Sequence, residues 1–401
     1  MFCLKCIECE SEYPPENVIV TCECGGLLEV FLDLAKIKVN KRVFKDREFG
    51  VWRYRELLPI SENANIVSLN EGGTPLYRAA RLGKHVGAKE LYVKNEGANP
   101  TGSFKDRGMT FGVSKALEFG FDTVGCASTG NTSASLSAYA AKAGLKCIVL
   151  LPAGKIAKGK LAQGMLHGAQ VVGIKGNFDE ALRLMREASD KFGIYLMNSI
   201  NPWRLEGQKT EAFEIAEQLD WQAPDRVVVP MGNCGNISAI WKGFKELHAL
   251  GFIDSLPKMV GIQAEGASPV TKAFKEGGNV VLQDNPETIA TAIRIGAPVN
   301  APKALRALRE SDGYADSVTD IEILKAQRLL AEMEGIGVEP ASAAPIASLT
   351  KLLGSVIDPD ERIVCIATGH ALKDPEIVFQ NREAPIEIEP DLEELRKIIK
   401  G

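Results

Sequence analysis

The stretch with the clearest capacity for chemistry is Asn95-Glu-Gly-Ala-Asn-Pro-Thr-Gly-Ser-Phe-Lys-Asp-Arg-Gly108. A loop of Asn, Gly and Pro ends at Ser103, a residue type that caps helices, and Lys105 falls just inside the helix that follows. The positive end of a helix dipole disfavours an ammonium there and so favours the neutral amine, the form that makes a Schiff base. For an arbitrary lysine the plainer reading is an exposed side chain, but three further loops shift the balance. Ser128-Thr-Gly-Asn-Thr-Ser133, Gly232-Asn-Cys-Gly-Asn236 and Thr368-Gly-His-Ala371 each put small or amide residues where a strand ends. Ligands of α/β sheets bind at that position. Gly232, Asn233, Cys234, Gly235 and Asn236 would present several backbone N–H groups at a helix start, a natural phosphate cradle. Each loop alone is ordinary punctuation. A Schiff-base lysine, a phosphate cradle and two hydroxyl or amide loops together describe a site for pyridoxal 5'-phosphate (PLP).

Positioning these loops requires a regular scaffold, and the pattern supplies one. Short apolar runs at 91–94, 123–127, 147–151, 171–174, 226–230 and 362–366 read as strands. Helical patterns at 107–119, 132–143, 159–167, 178–192 and 237–247 follow all but the last of them. Strands spaced by helices of ten or more residues predict βαβ units and parallel sheets, an α/β protein. Several runs are apolar throughout, as in a sheet covered on both faces. Residues 257–320 read as the least regular part, and charge-rich Asp391–Lys400 as a solvated terminal helix.

Composition excludes several classes. With 401 residues, two or three domains are expected. The 47 basic and 52 acidic residues give a net charge of −5, without the basic excess of a polyanion binder, so nucleic acid is not an expected partner. No apolar run approaches the ~20 residues of a membrane-spanning helix, and the start has no signal-peptide core. Nine cysteines, five of them in the first 24 residues, do not resemble a secreted disulfide framework. A reducing cytoplasm is the expected location.

Gly72-Gly-Thr-Pro-Leu76, Pro100-Thr-Gly-Ser-Phe-Lys-Asp-Arg107, Ser128-Thr-Gly-Asn131, Gly232-Asn-Cys-Gly-Asn236 and Glu339-Pro-Ala-Ser-Ala343 resemble the fold-type II PLP enzymes. The resemblance runs from about Ile66 to Pro375, most of the chain. Within the group it is nearest to the threonine synthases of archaeal and bacterial type, through Asn198–Thr210, Thr291–Gly296, Thr368–Pro375 and the Cys-rich head. It implies two open, twisted, mostly parallel sheets flanked by helices, after an N-terminal ribbon. The expected division is a head at 1–30, a large PLP-binding domain from 31–115 and 210–401, and a smaller α/β domain at 116–209. Lys105 would carry the cofactor, Asn131 would meet its 3-hydroxyl, Gly232 to Asn236 its phosphate, and Thr368 its pyridine nitrogen. Ser199 and Arg204 would bind the phosphate of a small phosphorylated amino acid, since a guanidinium fork suits phosphate oxygens. Arg204 reads as part of a loop after an apolar strand at 194–197, leading to a helix near Gln208; the alternative is a salt bridge to Glu206 or Glu211. Cys234 and Ala371 depart from the family pattern, where Ala and Gly are common. The implied reaction makes L-threonine and phosphate from O-phospho-L-homoserine and water, in a homodimer, with the freed Lys105 amine moving protons. Cysteate synthesis from phosphoserine and threonine dehydration are the rivals within the fold.

Two features stand apart. Cys6-x₂-Cys9-x₁₂-Cys22-x-Cys24 has the paired arrangement of a four-thiolate zinc ribbon, although the second pair is one residue tight; free thiols are the alternative. Gly154-Lys-Ile-Ala-Lys-Gly-Lys160 mimics a Walker loop but continues with Leu161 in place of the Mg²⁺-binding hydroxyl, and is expected to edge the active-site mouth instead. A zinc-ribbon nucleic-acid ATPase would need both features, and the net charge of −5 weighs against it.

Overall fold

The computed structural model describes residues 2–153, 158–176, 178–380 and 385–400. Four of the seven Walker-like residues, 154–157, lie outside them; a helix, Lys158–Leu166, begins next. The chain opens with β1 (Phe2–Cys6), β2 (Glu12–Tyr13) and β3 (Leu28–Leu32), an antiparallel sheet in the order β2-β1-β3. It then lays down β4 (Leu76–Arg78) and β5 (Glu90–Asn95). A separate sheet follows: β6 (Thr123–Ala127), β7 (Lys146–Pro152), β8 (Gln170–Ile174) and β9 (Tyr195–Leu196), parallel throughout, ordered β8-β7-β6-β9. The chain returns with β10 (Arg226–Pro230), β11 (Lys258–Ala264), β12 (Tyr314–Val318) and β13 (Arg362–Ala367). These join β4 and β5 in a six-stranded sheet, β12-β11-β10-β13-β5-β4, in which only the β4–β5 pair is antiparallel.

The apolar runs behave as expected of a sheet covered on both faces. Val227 and Val229 of β10, with Val364 and Ile366 of β13, point into one core. Val228, Ile363 and Cys365, the alternate residues, point into the opposite one. Period-two alternation of β-branched side chains thus fills two layers from one strand. The small sheet does the same, with Cys126 and Val149 on one side and Ala127 and Leu150 on the other.

The expectation for 257–320 holds only for its middle, 278–300, where the short helix Thr291–Ile293 is the one regular piece; the rest supplies β11 and β12 and the helices Pro269–Glu276 and Ala301–Glu310. Gly261 and Gln263 break the apolar pattern of β11 for tertiary reasons. A Cβ on Gly261 would collide with Met231, and the buried Gln263 side chain accepts from the backbone N–H groups of Val270 and Thr271, each at 2.9 Å. A local pattern cannot announce such partners.

Candidate active site

In the large sheet the strand order reverses between β10 and β13, so a crevice opens beyond their C-terminal ends. The loops after β5, β10 and β13 all emerge there. The β5 and β13 loops are zipped together: Phe104 N donates to Thr368 O (3.0 Å) and His370 N to Gly102 O (2.9 Å). Glu339 N donates to Gly369 O (3.0 Å), which ties in the helix Pro340–Leu352. Lys105 is therefore fixed beside Thr368 by backbone bonds at the start of the helix Lys105–Glu118. Ser103 does not cap that helix. Its Oγ is buried without a partner, and the Asp106 carboxylate instead holds the loop, accepting from Thr101 N (2.7 Å), Thr101 Oγ1 (2.5 Å) and Ser135 Oγ.

Lys105 is half-buried, its Nζ 3.6 Å from the centroid of the Phe104 ring. Burial and the nearby Arg204 cation bring its pKa down to about 7, against the pull of Glu339 and Glu211. No ion pair to Lys105 occurs among the described residues, in contrast to its neighbours. Arg107 makes four bonds of 2.7 Å to the carboxylates of Glu96 and Glu214, and Lys94 bonds Glu214 at 2.7 Å, all with fully buried side chains.

Asn131 starts the helix Asn131–Ala143 after β6, so the small sheet brings it to the crevice. Its Nδ2 donates to Glu339 Oε1 (2.9 Å) and Oε2 (3.1 Å), joining the two sheets' loops across the site. Thr368 Oγ1 lies 2.9 Å from Ser342 Oγ, which in turn accepts from Gly369 N (2.8 Å).

The turn from Gly232 to Asn236 leads into the helix Gly235–Ala249. Cys234, not a glycine, takes the left-handed conformation there (φ 64°), with its Sγ donating to Gly232 O at 3.3 Å. The two glycines have different reasons. A Cβ on Gly232 would lie 2.9 Å from Ala292 O, so the chain itself excludes it. A Cβ on Gly235 would meet only ordinary contacts at 3.5 Å or more, so the chain leaves open the space before this helix start. Asn233 O accepts from Asn300 N (3.1 Å), and Asn300 Nδ2 donates to Ser199 O (2.9 Å), so one residue links the turn to Ser199 through its backbone and its side chain. Asn236 Nδ2 donates to Glu211 Oε2 (3.1 Å).

Arg204 is not in a loop. It lies in the helix Pro202–Gln208, which starts earlier than expected because Asn201 caps it, accepting from Trp203 N (3.0 Å), with Pro202 in the first turn. Glu206 pairs with Lys209 and Lys242, and Glu211 bonds Asn236, so the alternative of a salt bridge to either is not what the fold adopts. The Arg204 side chain is 2% exposed, donates from Nη1 to Met197 O (3.0 Å), and leaves Nε without a partner. Burial pulls its pKa down to about 10.

The four head thiols also converge: Cys6, Cys9, Cys22 and Cys24 place their sulfurs within 4.8 Å of one another, and all nine cysteines are free. Sequence reasoning missed Asp106, Asn300, Glu339 and Ser342. Glu339 and Ser342 sat inside a motif already singled out, so their chemistry was visible and only their partners were not.

PLP is an anionic, aromatic aldehyde, and the residues fit it. Five of the ten buried polar atoms without a hydrogen bond among the described residues belong to Ser103, Arg204, Gln208, Glu211 and Asn236, which border Lys105 and the turn. Buried polar groups are seldom left unpaired without a ligand or water to meet them. Comparison with known proteins agrees. The family model of the pyridoxal-phosphate dependent enzymes matches residues 67–369. A threonine synthase of Methanocaldococcus jannaschii is 62% identical over 400 residues, 99% of each chain, and one of Methanosarcina acetivorans is 58% identical over 404 residues, 100% of this chain and 99% of the other. Among solved structures, maize serine racemase superposes with a TM-score of 0.66 at 21% identity, covering 77% of this chain and 90% of the other. A tomato (Solanum lycopersicum) threonine deaminase gives 0.66 at 24%, covering 77% and 87%. At such identities these two establish the fold alone. With the family model over most of its length and relatives this similar from end to end, the chain belongs to the pyridoxal-phosphate dependent enzymes and, within them, to the threonine synthases.

Proposed function

We propose that this protein carries PLP on Lys105 and converts O-phospho-L-homoserine and water to L-threonine and phosphate. The observation that carries the choice of a phosphorylated substrate is Arg204, a buried guanidinium with no carboxylate partner among the described residues, close enough to Lys105 to lower its pKa. When bound, PLP supplies an electron sink for negative charge developing on the substrate carbons. The protein's own groups do the rest. Backbone N–H groups from Gly232 to Asn236 would hold the cofactor phosphate, and the Asn131 amide would meet the 3-hydroxyl. Thr368, its hydroxyl oriented by Ser342, would face the pyridine nitrogen; unlike a carboxylate, a hydroxyl does not compel protonation there, which would moderate the sink.

Ser199 and Arg204 hold the substrate phosphate. Lys105 Nζ takes the α-proton, gives it up to the phosphate group that is to leave, and then takes a β-proton; phosphate leaves the γ-carbon, and Nζ delivers its proton there to make a methyl group. Water then adds its oxygen at the β-carbon, its proton passes to Nζ, and Nζ returns a proton to the α-carbon. One amine can serve successive transfers only if it is partly neutral near pH 7, which burial and Arg204 provide. The same side chain therefore positions the leaving group and tunes the base.

Among the described residues no helix is long and apolar enough to cross a membrane. A cytoplasmic location and a homodimer complete the proposal, and sedimentation of the purified protein tests the second. The reaction is tested by supplying holoenzyme with phosphohomoserine, with phosphoserine plus sulfite, and with threonine. Equal amounts of threonine and phosphate from the first alone are expected. Phosphate release with cysteate from the second, or 2-oxobutanoate from the third, would transfer the chain to one of the rival reactions.

A further inference from the structure

The Cys-rich head is neither a loose appendage nor part of the reacting centre, and its geometry has two sides. On one side lie the four sulfurs, Cys6 Sγ 3.6 Å from Cys24 Sγ and Cys9 Sγ 3.5 Å from Cys22 Sγ. Tetrahedral zinc with Zn–S bonds of about 2.3 Å needs sulfurs roughly 3.8 Å apart, so the set is close to a zinc cage. Cys6 and Cys22 are buried and Cys9 and Cys24 exposed, which seals one side and leaves an entry path on the other. Glu8 N points at Cys6 Sγ and Gly26 N at Cys24 Sγ, both at 3.4 Å, as donors that would steady thiolates. Gly26 is needed for closeness: a Cβ there would lie 2.7 Å from Cys6 Sγ. The tight Cys22-x-Cys24 spacing that the sequence left in doubt does not prevent convergence.

On the other side lies β3, which contributes no ligand but follows Cys24 by four residues. Lys242 of the Gly235 helix donates to Val30 O (2.5 Å), and Lys303 of the Ala301–Glu310 helix to Leu28 O (2.7 Å). Arg306 pairs with Glu29. The Phe2 ring on β1 meets Trp203, next to Arg204, edge to face at 6.1 Å between centroids. The head thus rests on the three helices that bear the phosphate turn, Asn300 and Arg204.

We propose that Cys6, Cys9, Cys22 and Cys24 bind one zinc ion as thiolates, and that this ion holds β3 where it seats the Arg204 helix. A ribbon of this size has too little core to be rigid alone, so the ion secures the ribbon side of β3 while Lys242, Lys303 and Arg306 hold its other side. The ion is a positioning element; it touches no substrate. The proposal rests on the assigned reaction only for its kinetic readout.

The test begins with metal analysis of holoenzyme purified without chelator, together with a thiol titration that follows metal release. One zinc per chain, freed as the head thiols are modified, is expected. Absence of zinc in protein whose thiols are reduced, or disulfides joining these four cysteines, would overturn the site. Cys9→Ser and Cys24→Ser, at the exposed ligands, should lose zinc and raise the KM for phosphohomoserine several-fold while the cofactor absorbance stays. Zinc loss with unchanged KM would overturn the role given to the ion. Metal content is read without substrate, so a zinc-free enzyme that still makes threonine would sink only this inference. A zinc-bearing protein that makes none would sink only the reaction.

Discussion

Removing the charge of Arg204 separates a binding residue from a structural one, because the two roles predict opposite signs for stability. Arg204 makes one hydrogen bond inside the chain, Nη1 to Met197 O at 3.0 Å, and its Nε is buried without a partner. A guanidinium so placed has donors left for a phosphate, and a charge-assisted clamp of that kind contributes ~1.5–3 kcal/mol. Arg204→Met keeps the length and much of the volume. It should therefore lower kcat/KM for phosphohomoserine by roughly 10- to 150-fold. The unliganded protein loses the bond to Met197 O, worth about 1 kcal/mol, but is relieved of a buried cation that has no carboxylate, so its melting temperature should hold or rise. Arg204→Lys should recover part of the rate, because an ammonium cannot reproduce the fork. The cofactor absorbance should not change in either variant. The assay is initial-rate phosphate release against substrate concentration, paired with calorimetry with and without inorganic phosphate, which should stabilise wild type more than the Met variant. A kcat/KM within about twofold of wild type, well short of the estimate, would remove Arg204 from the substrate site. A large fall in melting temperature alongside the lost rate would show that the residue acts by holding the fold.

Other expectations concern the cofactor and the core. Lys105→Ala should abolish turnover and the lysine-dependent cofactor absorbance at unchanged melting temperature; a reducible adduct found on another lysine would refute the assignment. Gly235→Val should weaken PLP binding, measured by absorbance titration, because a β-branched side chain fills the space before the turn, whereas Gly232→Ala should lower the stability of the cofactor-free protein through its clash with Ala292 O. Equal behaviour of the two glycines would contradict the distinction. Burial pushes the Glu214 pKa up, but Arg107 and Lys94 outweigh it and hold the carboxylate at about 2, below the ordinary 4.5. Its contribution is therefore complete above about pH 4.5 and lost as the pH falls towards 2. Glu214→Gln should cost ~3–5 kcal/mol near neutrality and flatten the acid limb of a urea-midpoint profile, and an unaltered limb would mean that other carboxylates govern it.

The parts of the site that could be read from sequence are those whose chemistry is local. Lys105 and the Gly232 turn stand out as candidates because a strand, a small-residue loop and a helix start are adjacent in the chain, and the strands leading into them are apolar enough to place. The Asn201-Pro202 cap is equally local: an Asn followed by Pro is a helix-start signal, and it places Arg204 inside the helix. Other parts depend on partners far along the chain. Asn300 connects Asn233 to Ser199, residues separated from it by 67 and 101 positions, and nothing around Asn300 itself distinguishes it from a turn residue. Asp106 was read as part of a motif, but its acceptance from Ser135 needs the small sheet to be in place first. The β11 strand failed for the same reason: its glycine and glutamine answer to Met231 and to a helix start, which only the folded chain brings near.

The distribution of carboxylates explains why the site keeps its chemistry. Burying a cation demands a partner: Lys94 and Arg107 share Glu214 and Glu96, Lys209 lies between Glu206 and Glu246, and Lys303 donates to Leu28 O. Arg107 stands two residues from Lys105 in the same helix, so the Glu96 and Glu214 carboxylates are engaged before they can serve Lys105. Glu211 is the remaining nearby acid of the helix Thr210–Gln218, and burial together with the charge of Glu96 pushes its pKa well above the usual carboxylate range. Lys105 thus has a cation, Arg204, as its strongest charged neighbour, with Glu339 and Glu211 as weaker counterweights, and among the described residues neither Lys105 nor Arg204 makes an ion pair. The two phosphates of the proposed chemistry, one on the cofactor and one on the substrate, supply that missing negative charge. An interior that pairs Lys94, Arg107 and Lys209 with its own carboxylates and leaves Lys105 and Arg204 for its ligands binds anions without having to break a salt bridge first.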